Sequence, residues 1–216
     1  TGFIVDNLGE GQTITPQIVS EAMQRKIGFY DKGDDRYNLL SALQKSVRGS
    51  DPDAAVHYLA RLLDGGADIQ MIGRRLLVMA SEDVGMAYPS AISIVTACVQ
   101  AAQMVGMPEA VINLAQAVVL MAAAPKSNAS YIALEEAMHD IKTKKIDDVP
   151  NHLKDTHYKG AADLGYGGYK YPHAYGGYVK QQYLPDNLYK QGVKYYKPTE
   201  NGSEAAFKKY LESLEK

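Results

Sequence analysis

The sequence predicts an all-α protein: a helical body, then a long ordered irregular segment, then a last helix. Apolar residues recur at helical spacing in one stretch after another, with capping residues or prolines at the starts and glycines at several ends. Strand-type alternation of apolar and polar residues is nearly missing. From about residue 146 glycine and proline become too dense for helices of normal length, while tyrosines accumulate. LGYGGYKYPHAYGGY, at 164–178, holds five tyrosines and five glycines.

Thr15 and Pro16 read as the N-cap and first helical position of a short helix to about Lys26, with Ile18, Val19, Ala22 and Met23 at helical spacing. The turn-rich GFYDKGDD ends it. YNLLSALQKSV follows, with Leu39, Leu40, Leu43 and Val47 on one face. Ser50 reads as the cap of the next helix and Asp53 as the second half of a short-armed capping box. That helix covers AAVHYLARLL and stops at Gly65 and Gly66. Asp68 caps IQMIGRRLLVMAS, which ends near Gly85. Pro89 opens SAISIVTACVQAAQMVG, Pro108 opens EAVINLAQAVVLMAAA, and Pro125 closes it. Asn128 or Ser127 starts NASYIALEEAMHDIKTKK. These last three helices are alanine-rich and apolar on most faces, which places them at the centre of the body or against a neighbouring subunit.

The irregular stretch from Ile146 spans roughly fifty residues, far beyond usual loop lengths. Disordered segments are poor in aromatic residues and this one is dense in them, so it is expected to be ordered and to lie over the helices. Its tyrosines could form a stacking platform for bases or a coat whose rings each bury roughly 150–250 Å² against helices. The coat is favoured, because the glycines permit close approach and Pro172 and Pro185 restrict the chain. A final amphipathic helix, SEAAFKKYLESLEK, closes the chain.

With 46% hydrophobic and 22% charged residues the chain can bury a full core. A net charge of −2 excludes whole-chain polyanion binding by charge alone. The charge is uneven, however. Residues 1–141 carry 10 basic and 16 acidic side chains, and residues 142–216 carry 13 lysines and 9 acids. The basic, tyrosine-rich part reads as a solvated surface or as a segment docked on an acidic partner. Cys98, the single cysteine, reads as a buried, inert thiol and fits a reducing cytoplasm. No signal peptide or membrane span is visible. The chain opens TGFIV without an initiator Met, as a chain beginning mid-protein does.

Motifs for chemistry are tested and set aside. Gly28 and Gly33 have phosphate-loop spacing, but Asp34 and Asp35 occupy the Lys and Ser/Thr positions and would repel phosphate. Gly165, Gly167 and Gly168 lack the strand and helix of a dinucleotide fingerprint. His152 and His157 lack a third zinc ligand, and no metal site is expected. Asp53 and His57 read as a surface pair. Glu82 and Asp83 could serve as general acid and base but read better as a solvated helix end. Arg74 and Arg75 read as structural ion-pair formers. No nucleophile elbow is present. No catalytic residue and no cofactor site is assigned.

Several long stretches carry a resemblance. YDKGDDRYNLLSALQKSVRGSDPDAAVHYLARLLDGG, RRLLVMASEDVGMAYPSA, GMPEA, LMAAAPKSNASY, LGYGGYKYPHAYGG and QQYLP occur in the order found in the C-terminal part of the RarA/MgsA ATPases. The eukaryotic relative of that family is the Werner-helicase-interacting protein. Family members are AAA+ proteins related to clamp-loader ATPases, and their Walker A, Walker B and arginine-finger motifs lie upstream of the matched segment. The resemblance therefore implies a fragment: residues 1–30 the tail of the AAA+ lid, 31–145 a helical domain similar to the clamp-loader collar, and 146–216 a wrapping segment and helix on the same body. It implies homo-tetramers built by this domain and an ATP-driven, DNA-dependent factor at stalled replication forks. It also implies a single-stranded-DNA-binding protein as partner, and a cytoplasmic, nucleoid-associated location. ATP and Mg would belong to the missing AAA+ domain, so this fragment is expected not to hydrolyse ATP.

Two functional expectations follow. In the first the chain is a non-catalytic assembly module whose apolar helix faces pair between copies. In the second it is a single-stranded nucleic-acid-binding module, with Tyr166, Tyr169, Tyr171 and Tyr175 stacking bases. Lys159, Lys170, Lys180, Lys190, Lys194 and Lys197 would then meet phosphates.

Overall fold

The structure is a computed structural model that describes Thr15, residues 33–157 and residues 159–214. The short helix expected over 16–26 and the Gly28 half of the phosphate-loop spacing lie outside the described residues. Every regular element among the described residues is helical: α1 (Gly33–Arg48), α2 (Pro52–Asp64), α3 (Ile69–Met79), α4 (Ala91–Val105), α5 (Ala110–Ala123), α6 (Ala129–Thr143), the short α7 (Asp186–Lys190) and α8 (Glu204–Leu214). Two compact units divide the chain after Lys126.

In the first unit α1 packs on α2 and α4 on α5, while α5 touches all four of its neighbours. The alanine-rich composition of α5 suits that place. Ala110, Ala117 and Ala122 let other helices approach, and Leu114, Val118 and Met121 fill the gaps between them; all six are buried. Leu39, Leu40, Leu43 and Val47 of α1 join the same core, as their spacing predicts. Cys98 is buried on α4, where desolvation pushes its thiol up.

The start of α2 differs from the expected cap. Asp51, not Ser50, is the N-cap, and its carboxylate accepts the Ala54 N–H at 2.9 Å. Pro52 is the first helical residue and holds the residue before it extended, which makes that residue the cap. Ser50 sits instead in the left-handed region at φ 59°, and its hydroxyl accepts from the Lys126 ammonium at 3.0 Å. Asp68 caps α3 as expected, receiving Gln70 N–H at 3.2 Å and Met71 N–H at 3.3 Å.

The crossing of α3 on α4 depends on one missing side chain. A Cβ built on Gly73 would lie 2.6 Å from Val99 Cγ1. Gly73→Ala gains about 1 kcal/mol in helix propensity, but forcing the helices apart costs about 1–3 kcal/mol. Urea unfolding is expected to show net destabilisation, relieved when Val99→Ala is added. A stabilised Gly73→Ala variant would contradict this packing.

Candidate functional site

Ala80–Val84 forms a π-turn after α3 and turns both Glu82 and Asp83 toward α1. There the Arg48 guanidinium donates Nε–H to buried Asp83 and Nη2–H to Glu82 at 2.9 Å, and Gln44 donates to Glu82 at 3.1 Å. The expected solvated pair is thus a structural clasp, drawn inward because the wider turn aims two successive side chains at one arginine. Lys126 completes the corner by donating to the carbonyls of Ala122 and Ala124. Burial pushes its ammonium down, against the attraction of Asp83. Arg74 and Arg75 form no ion pair among the described residues, contrary to expectation: α3 presents no acid to them.

The second unit is organised by α6, whose faces are inverted. Ala129, Ile132, Ala133, Glu136, Ala137 and Asp140 turn inward. Tyr131, Leu134, Met138 and Ile141 follow a 3-4-3 spacing down the other side and are 42, 64, 44 and 62% exposed. The inward carboxylates are met by the returning chain. Tyr195 donates its hydroxyl to Asp140 at 3.0 Å and Lys197 reaches both oxygens of Glu136 at 2.8 Å. Lys144 pairs with Asp140 at 2.9 Å, and this bond chiefly holds the Asp140 carboxyl below its usual range.

Glu204, at the start of α8, locks that return. It is fully buried and accepts from Tyr196 at 2.7 Å and Thr199 at 2.5 Å. Burial alone would raise its pKa, but hydrogen bonds from Ser127, Thr199 and Tyr196 together outweigh this and lower it. Burial, with the bond to Glu204, pushes Tyr196 up to about 12.

The tyrosines divide into two sets. Tyr195 and Tyr196 are half-buried with bonded hydroxyls, as a coat requires. Tyr166 is half-buried beneath the Lys154 ammonium, 4.8 Å from its ring centroid. Tyr169, Tyr171, Tyr175, Tyr178, Tyr183 and Tyr189 are exposed, between 41 and 60%. These six rings stay largely open to solvent, and positive-φ glycines such as Gly167 and Gly177 turn the backbone between them. Of the candidate phosphate contacts, Lys197 is engaged by Glu136 and Lys190 lies 3.8 Å from Asp186; Lys159, Lys170, Lys180 and Lys194 are exposed. His152 donates Nε2–H to the Gln182 carbonyl at 2.7 Å and His157 donates Nδ1–H to Asp155 at 2.6 Å. Among the described residues no three metal-binding side chains converge. No described helix is long and apolar enough to cross a membrane.

The described elements are all helical, and the fold is collar-like. The sequence matches the family model described as MgsA AAA+ ATPase C terminal over residues 49–215, and the chain belongs to that family. Over 207 residues it is 52% identical to replication-associated recombination protein A of Bacillus subtilis, covering 94% of this chain and 48% of the relative. The Escherichia coli K12 protein of the same name is 40% identical over 206 residues, covering 93% of this chain and 45% of the relative. ATPase WRNIP1 of Dictyostelium discoideum is 38% identical over 190 residues, covering 86% of this chain and 22% of the relative. The chain thus spans about half the length or less of these relatives.

The buried carboxylate makes a pH prediction. Because the folded-state value of Glu204 lies below its ordinary 4.5, its contribution is present above that pH and is lost as pH falls through the folded-state value. Hydrogen exchange of α8 amides is expected to accelerate in that acid range. Glu204→Gln should lower protection at neutral pH by about 2 kcal/mol and flatten the acid response. An unchanged acid profile in the variant would refute the assignment.

Proposed function

We propose that this chain is the non-catalytic assembly domain of a replication-associated recombination ATPase that acts at stalled forks. The full protein would carry ATP and Mg on an AAA+ domain outside these residues. It would meet DNA and a single-stranded-DNA-binding protein in the cytoplasm, at the nucleoid. The observation that carries this reading is the apolar stripe of α6, held outward while Glu136 and Asp140 face its own unit.

A second apolar surface lies where α4 turns into α5. Met104, Val105, Met107 and Ile112 are 87, 55, 55 and 67% exposed. Two separate self-complementary surfaces are what a closed tetramer of dihedral symmetry needs, whereas one gives a dimer. Burying a carboxylate in either interface costs several kcal/mol. Leu134→Glu with Met138→Glu is therefore expected to weaken association by about a hundredfold or more. Light scattering should show the tetramer reduced to a dimer, with helical content unchanged because both side chains are exposed in the subunit. A wild-type chain that stays monomeric at high micromolar concentration would overturn the reading.

A specific observation also favours a second reading, single-strand binding. Residues 151–197 carry seven lysines and three acids, and this basic stretch holds the six exposed tyrosines. Such a surface joins phosphate attraction to base stacking. Binding of the chain to an oligothymidylate is expected to weaken steeply as salt rises, the slope falling by about one with Lys170→Ala or Lys180→Ala. No binding at low salt would remove it.

A further inference from the structure

We infer that the cleft between residues 152–157 and 167–169, closed at one end by Tyr183, seats one unstacked base of a single strand. This rests on the second reading above and gives it a place. The cleft has a volume of about 630 Å³, within the range of small-ligand sites.

Two rings and two imidazoles line it, and the hydrogen bonds around it fix their positions. Gln181 donates to the Tyr183 hydroxyl at 2.8 Å and to the Lys170 carbonyl at 2.7 Å, and it accepts from the Lys170 N–H at 3.1 Å. Burial pushes the Tyr169 hydroxyl's pKa up, with the Tyr183 hydroxyl near it adding to the rise. The Tyr183 ring is thus tethered at its hydroxyl end, and the Tyr169 and Tyr183 rings remain 47 and 49% exposed. No other ring of the described residues pairs with either. A half-open aromatic wall held rigidly loses little entropy when a planar ligand stacks on it.

The polar edge suits a base. Nδ1 of His157 is committed to Asp155, which leaves Nε2 on a side chain 93% exposed. Gly167 and Gly168, at φ 124° and 90°, form the opposite wall with no side chain to block entry. Lys170 follows Tyr169 directly and is exposed; its ammonium has no partner among the described residues, so it can take the adjoining phosphate. Lys154 does not fill that role, because Asp148 holds it at 2.6 Å above Tyr166.

The chain has no tryptophan, so the emission of its 16 tyrosines, the two cleft rings among them, can be followed without interference. Titration of the whole chain with oligothymidylate at low salt is expected to quench that emission. Tyr169→Ala or Tyr183→Ala should weaken binding roughly tenfold to a hundredfold, the range of one stacked base. Tyr183→Phe keeps the ring and should retain most affinity, and Tyr210→Ala, on α8, should change nothing. Far-UV circular dichroism confirms that each variant is folded, and Tyr183→Leu replaces the alanine variant if it is not. Binding that ignores Tyr169 and Tyr183 while remaining salt-dependent would overturn the cleft and leave the second reading standing. Absence of any salt-dependent binding would overturn both.

Discussion

The second unit turns on the orientation of one helix. An isolated α6 would place Tyr131, Leu134, Met138 and Ile141 inward and leave Glu136 and Asp140 to water. The structure instead turns its smaller apolar residues inward together with Glu136 and Asp140, and each of these carboxylates receives a donor: Tyr195 and Lys144 for Asp140, Lys197 for Glu136. Those donors come chiefly from the far end of the irregular segment. The segment must therefore return to α6, and buried Glu204 fixes the return by gathering Tyr196, Thr199 and Ser127 around one charge. Removing any of these partners leaves a buried acid short of hydrogen bonds.

That arrangement gives a role to the long tyrosine- and glycine-rich stretch of this chain. In the first unit α5 lies among its four neighbours, Gly73 lets α3 settle on α4, and Arg48 ties α1 to the π-turn. The second spends its polar contacts on holding an apolar face outward and several rings half-exposed. Assembly and strand contact are compatible, since the α6 stripe and the tyrosine cleft use different residues.

Much of the first unit was legible in the sequence. Asp68, Gly65 and Pro125 marked helix ends by local chemistry, and the four apolar residues of α1 gave their face by spacing alone. Ser50 was misread because a capping hydroxyl and a left-handed hinge look alike until Pro52 assigns the cap to Asp51. Glu82 and Asp83 read as solvated because their partner, Arg48, is 34 and 35 residues away. The α6 inversion was hidden for a related reason. Periodicity shows that a helix has an apolar side, not which way that side points, and the deciding donors at 195 and 197 lie more than fifty positions downstream. The coat expected of the tyrosines could not be resolved ring by ring, because ring density shows order but not exposure. Tyr195 and Tyr196, beside acids on α6 and α8, are half-buried with bonded hydroxyls.

The outward face of α6 is tested most directly by placing a thiol on it. Cys98, the only native cysteine, is buried, so Leu134→Cys presents the single accessible thiol. Mild oxidation of that variant at micromolar concentration should give a covalent homodimer in high yield, with α6 amides protected from exchange before oxidation. Full modification of the new thiol by a maleimide, with no crosslinked species and no protection of α6 at any concentration, would show that the stripe meets no second copy.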